Sequence, residues 1–123
     1  MDKEKVQWLV HEIVAGIAEK KGLDPVVLNL QDISSMCDYF IIASAPSIRQ
    51  VKSIADAVKE RLDSTPARLL HQEGLKEGRW ILLDYGDIVV HLFISEDRDY
   101  YQLERIWKDA SALDVDIVLT GNV

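Results

Sequence analysis

The chain of 123 residues has a single cysteine, Cys37. That excludes an internal disulfide and any metal centre built from several thiolates. No apolar run approaches the ~20 residues that a bilayer-crossing helix needs. Basic residues are in short supply, with 14 Lys and Arg against 21 Asp and Glu and a net charge of −7. Phosphate backbones are held by clustered cations, so extensive direct binding of nucleic acid is not expected, and an acidic chain is steered instead toward basic partners. The N-terminus, MDKEKVQWLV, mixes acids with bases and lacks an apolar h-region or an Arg/Ser-rich presequence, so the cytoplasm is the expected location. The chain also lacks repeats, linkers and low-complexity segments, and its length suits one domain.

What is present is clear periodicity. In Lys3–Lys21, residues Val6, Leu9, Val10, Ile13, Val14, Ile17 and Ala18 recur at helical steps, which predicts an amphipathic helix ended by Gly22. Pro25–Leu30 and Tyr39–Ala43 are expected strands. Ser47, with Gln50 three residues on, has the spacing of a capping box, so a second helix is expected to run to about Ser64, before Pro66. Ala67–Leu70 is a candidate third strand. The richest stretch is WILLDYGDIVVHLF, Trp80–Phe93, which is predicted to be a hairpin with Tyr85-Gly86 at its tip. Both faces of its strands are largely apolar, which implies cover on both sides. Ser95, followed by Glu96 and Asp97, begins an expected last helix with Tyr100, Leu103 and Trp107 on one face. The order α-β-β-α-β-β-β-α predicts an α/β fold, a mixed sheet of about five strands flanked by helices.

Catalytic chemistry is poorly supported by these residues. Neither G-x-x-x-x-G-K-[ST] nor G-x-G-x-x-G occurs, and the strand-to-helix turn IIASAPSIRQV is read as a capped turn rather than an anion site. Asp114 and Asp116 alternate as magnesium-holding acids do, and Asp84 with Asp87 flanks the hairpin turn; both pairs are read as structural. His11, His71 and His91 share no ligand spacing. His91 interrupts an apolar strand and is expected to be hydrogen-bonded in a core or an interface. Cys37 has no obvious activator nearby and is expected to be inert. No metal or cofactor is expected. Aromatic residues crowd the last part of the chain: Trp80, Tyr85, Tyr100, Tyr101 and Trp107. Trp and Tyr anchor interfaces, so Trp80 is read as core or interface, and Tyr85, at the tip, as exposed.

The chain resembles the ribosomal silencing factor family, also called the RsfS, Iojap or YbeB family. The marks are DYFIIAS at Asp38–Ser44, SIRQVKSIAD at Ser47–Asp56, Glu73-Gly74, Trp80–Phe93, and R-x-x-Y-x-L-E-x-x-W from Arg98 to Trp107. Their order and spacing together are specific, and they cover about residues 5 to 108. The resemblance implies a nucleotidyltransferase-like fold without catalysis, spanning residues 1–110, with 111–123 a tail outside it. It implies binding to the large ribosomal subunit through ribosomal protein L-fourteen, which blocks joining of the small subunit and represses translation when nutrients are scarce. It also implies a homodimer when free. Where the family often has a Gly-bearing turn after the second strand, this chain has Ala45-Pro46.

Carried over by position, the partner-binding candidates are Trp80, Leu82, Asp84, Tyr85, Asp87 and His91. Arg98 and Tyr101 form a second tier with Trp107, for which core packing or dimer contact is the rival reading. The alternative function is a nucleotide-binding or nucleotidyltransferase-type enzyme, which needs carboxylates converging near Ser44–Ser47.

Overall fold

The computed structural model describes residues 3–32, 34, 35, 37–97 and 111–113. Helix α1 (Lys3–Glu19) and helix α2 (Ile48–Asp63) accompany six strands: β1 (Leu23–Asn29), β2 (Tyr39–Ala45), β3 (His71–Glu73), β4 (Trp80–Asp84), β5 (Ile88–Ile94) and β6 (Ser111–Leu113). The strands form one sheet in the order β3-β4-β5-β2-β1-β6. Among the described residues only the β2–β5 pair is parallel, so the sheet is mixed. The expected α/β architecture is present, with a sixth strand at one edge. That strand, Ser111–Leu113, pairs with β1 and falls within the stretch set apart above as a tail.

Helix α1 ends before Gly22, as predicted, in a cap built on Lys21 and Gly22 together. Lys21, not Gly22, takes the left-handed conformation, with φ of 59°. The Gly22 N–H donates to the Ile17 carbonyl and the Lys21 N–H to that of Ala18, the paired bonds of a Schellman cap. Gly22 is needed for space, because a Cβ there would clash with Ile17 Cγ2. At the start of α2, Ser47 Oγ accepts from the Gln50 N–H at 3.2 Å, as the spacing predicted. The Gln50 side chain does not return to complete the box; its amide donates to the carbonyls of Lys20 and Lys21 and ties α2 to the end of α1.

The main core lies between these helices and one face of the sheet. Val10, Ile13 and Ile17 of α1 and Val51, Ile54 and Val58 of α2 pack with Ile41, Ala43, Ile81, Leu83, Val90 and Leu92. A smaller cluster on the other parity of the strands joins Leu28, Leu30, Cys37, Ile42 and Phe93, with Val26, Phe40 and Val89 partly buried against it, and contains no residue of α1 or α2. Alternation along each strand thus sends one set of side chains under the helices and the other to the opposite face.

Two expectations need correction. The third strand is His71–Glu73 rather than Ala67–Leu70, and all three of its residues are exposed. Its place follows from edge pairing with Asp84, Leu83 and Leu82 of β4, which needs no apolar pattern of its own. Tyr85 is not exposed: it is only 8 % accessible and belongs to the main core. It continues the inward series Ile81, Leu83, Tyr85, and that alternation carries its ring into the core. Where the last helix is predicted to start, Ser95–Asp97 form one 3-10 turn, and the rest of that helix lies outside the described residues. Glu96 and Asp97 of the turn pair with Arg79 at 3.0 and 2.7 Å. Arg98, Tyr100, Tyr101, Leu103, Trp107, Asp114 and Asp116 lie outside the described residues.

Candidate functional site

The β4–β5 hairpin builds the site. Its turn is set by Asp84, whose Oδ1 accepts from the Gly86 N–H at 2.8 Å, while Gly86 takes a φ of 89° that suits glycine. Pairing then places Trp80 opposite Phe93 and Leu82 opposite His91. Because side chains alternate, Trp80, Leu82 and Asp84 share a face with Val89, His91 and Phe93, away from the helices. The turn also brings Asp38 and Asp87 close, since the Asp87 carbonyl accepts from the N–H groups of Asp38 and Tyr39 at 2.7 and 3.1 Å.

A groove of about 330 Å³ runs along this face, lined by Ser34, Cys37, Phe40, His71, Glu73, Leu82, Asp84, Gly86, Val89 and His91. A second hollow of about 310 Å³ lies on the other side of Leu82 and Glu73, bounded by Gly74 and Trp80. The combined surface has an apolar floor of Phe40, Leu82 and Val89 with Trp80 at one end. Glu73 and Asp84 supply acidic groups along it. Trp80 is 51 % exposed, while Leu69 and Leu70 beside β3 add further exposed apolar surface.

Trp80 is exposed but not loose. Its ring stacks on Phe93 with centroids 5.0 Å apart. Its indole Nε1–H donates to His91 Nδ1 at 3.3 Å. His91 in turn meets Phe40 edge-to-face at 4.8 Å. Burial pushes the His91 pKa from 6.5 down to about 4. The ring is therefore neutral at pH 7 and a weak base. Cys37 is the opposite case: burial, and then the negative charges of Asp84, Asp38 and Asp87, push its thiol up to about 11. A thiol so placed is a poor nucleophile.

Of the predicted site residues, the structure brings together Trp80, Leu82, Asp84 and His91. Asp87 sits at the turn close to Asp84, and Tyr85 faces the other way into the core. Arg98 and Tyr101 lie outside the described residues. Sequence reasoning missed Phe40, His71, Glu73 and Val89 as groove residues. Val89 and Phe40 were legible as outward positions by alternation. His71 and Glu73 were not, since an exposed three-residue edge strand carries no periodic signal. Among the described residues, no group of three or more His, Cys, Asp or Glu side chains is arranged to hold a metal ion. No helix among them is long and apolar enough to cross a membrane.

Comparison with known proteins gives a consistent result. A family described as "Ribosomal silencing factor during starvation" matches residues 3–122, beyond both ends of the motif-bearing stretch. The chain is 39 % identical over 102 residues to the ribosomal silencing factor RsfS of Bacillus subtilis, covering 83 % of this chain and 86 % of that one. It is 35 % identical to the protein of the same name from Halalkalibacterium halodurans, covering 93 % of this chain and 97 % of the relative. A crystal structure of a protein from Chromobacterium violaceum superposes with a TM-score of 0.80 at 31 % identity, covering 88 % of each chain. With nearly its whole length matched and its fold shared, the chain belongs to the ribosomal silencing factor family.

Proposed function

We propose that this protein is a cytoplasmic translational repressor that docks on the large ribosomal subunit through ribosomal protein L-fourteen and sterically keeps the small subunit from joining. The names of its relatives support a silencing role at the ribosome. The observation that carries the docking is the face around Trp80: a half-exposed indole and an apolar groove flanked by Glu73 and Asp84, on a chain of net charge −7. A basic protein surface complements such a face in charge. The apolar centre supplies buried area, and the rim acids steer the encounter. When free, the protein pairs with a second copy of itself.

The action is occupation of a surface and not catalysis. Support comes from two buried groups at the groove, His91 and Cys37. His91 is held neutral with its Nδ1 engaged by Trp80, and the Cys37 thiol is held protonated.

Co-sedimentation with purified large subunits tests the reading. Wild-type protein is expected to pellet with them and to inhibit joining of small subunits in a light-scattering assay. Trp80→Ala is expected to weaken binding by about 30-fold, the equivalent of ~2 kcal/mol at a central aromatic anchor. Unchanged binding by the double variant Trp80→Ala/Asp84→Ala would remove this face as the docking site. Micromolar affinity for ATP with magnesium, measured by calorimetry, would favour an enzyme instead.

A further inference from the structure

His91 contains an unusual arrangement. Its Nδ1 accepts the Trp80 indole hydrogen, and an indole N–H can only donate. In the neutral ring the proton must therefore sit on Nε2. That atom is buried and has no hydrogen-bond partner among the described residues. A phenylalanine would fill a similar volume between Phe40 and Phe93 without leaving a buried donor unpaired. The imidazole is thus a poor choice for packing alone. What it alone supplies is the acceptor for Trp80.

We propose that His91 is the positioning residue of the docking surface: it fixes the half-exposed Trp80 ring in one orientation, through Nε1–H···Nδ1, before the partner arrives. The inference rests on the docking function proposed above and names the device that prepares it. Two contacts hold the ring, the stack on Phe93 and the bond to His91. Stacking alone leaves the indole able to slide or turn over on Phe93, because an aromatic stack has little directional preference in its plane. The hydrogen bond removes that freedom. A ring ordered in advance loses less entropy on binding, which raises affinity without adding any contact to the partner. Gly74, with a φ of 80°, lets its backbone run close beside that of Trp80, where a Cβ would clash with the Trp80 carbonyl oxygen.

The test uses the whole chain and three variants, His91→Phe, His91→Asn and Trp80→Ala. Asn keeps an acceptor near the Nδ1 position, whereas Phe keeps only the shape. In the free protein, the Trp80 indole resonance, assigned by its loss in Trp80→Ala, is expected to move in His91→Phe to the position and solvent-exchange rate of an open indole. His91→Asn is expected to restore it in large part. Affinity for isolated large subunits is expected to fall about 3- to 10-fold in His91→Phe and to recover in His91→Asn. Weakened binding by Trp80→Ala with full binding by His91→Phe would overturn the positioning role and leave the docking site standing. Full binding by both would overturn the docking site as well. An indole resonance unchanged in His91→Phe would overturn the positioning role without any reference to the ribosome.

Discussion

At the scale of single residues, burial sets the chemistry of the groove. An unpaired donor in the interior costs about 1–3 kcal/mol, so His91→Phe is expected to leave the fold as stable as wild type or more so at neutral pH. The pH dependence sharpens this. His91 has a folded pKa of about 4 against an ordinary 6.5. Between those values the unfolded chain takes up the proton and the folded chain does not. The neutral, buried ring is therefore fully tolerated above pH 6.5, and stability is lost as the pH falls toward about 4. The loss approaches ~1.4 kcal/mol per pH unit inside that window. Denaturant titrations across the window are expected to show the gap between His91→Phe and wild type widening in favour of the variant as acid is added. A constant gap would mean that His91 titrates normally. Cys37 is expected to react with a thiol reagent at mildly alkaline pH about 100-fold more slowly in the folded protein than in urea, because its thiolate is suppressed. Gly74→Ala is expected to cost about 2 kcal/mol or more, since it adds left-handed strain to a backbone clash with Trp80.

At the scale of elements, local chemistry and edge geometry divided the work. The Ser47 cap of α2 was legible because a Ser hydroxyl just before a helix can accept from a helix-end N–H by itself, even though the Gln50 side chain turns elsewhere. Ser47→Ala is expected to cost about 1 kcal/mol in thermal or chemical unfolding, with little effect on docking, because the cap is not among the groove's lining residues. Gly22 marks the end of α1 in the sequence, and the structure adds the device: Lys21 takes the left-handed conformation and Gly22 makes room for Ile17. Tyr85 was misplaced because a turn tip usually faces water, whereas strand alternation from Ile81 and Leu83 already carried it inward. Strand β3 was displaced by three to four residues for the opposite reason. Its position is dictated by register with β4, and nothing in its own composition marks it.

At the scale of the whole molecule, charge and the unequal faces of the sheet act together. A chain of net charge −7 attracts a basic partner at long range. Binding to large subunits is therefore expected to weaken with added salt, mainly through a slower on-rate. An affinity indifferent to salt would mean that the apolar centre alone drives docking. Light scattering with size separation is expected to show a dimer for the free chain; a strict monomer at high concentration would contradict self-association.

By itself the sequence determined the two helices, their buried stripes, the hairpin and its turn, because each is written in near-neighbour spacing: steps of three and four for helices, two for strands, and fixed offsets for caps and turns. The family motifs were equally local. Only the tertiary structure decided which parity of the sheet the helices would cover. Both parities are apolar, so pattern alone could not rank them; the packing of α1 and α2 on Ile81, Leu83, Val90 and Leu92 did. It also decided that His71, His91, Asp84 and Cys37, distant in sequence, would line one groove, and that Trp80 would find its acceptor eleven residues away on the neighbouring strand. Contacts between strands depend on register, and register is a property of the assembled sheet rather than of any one segment.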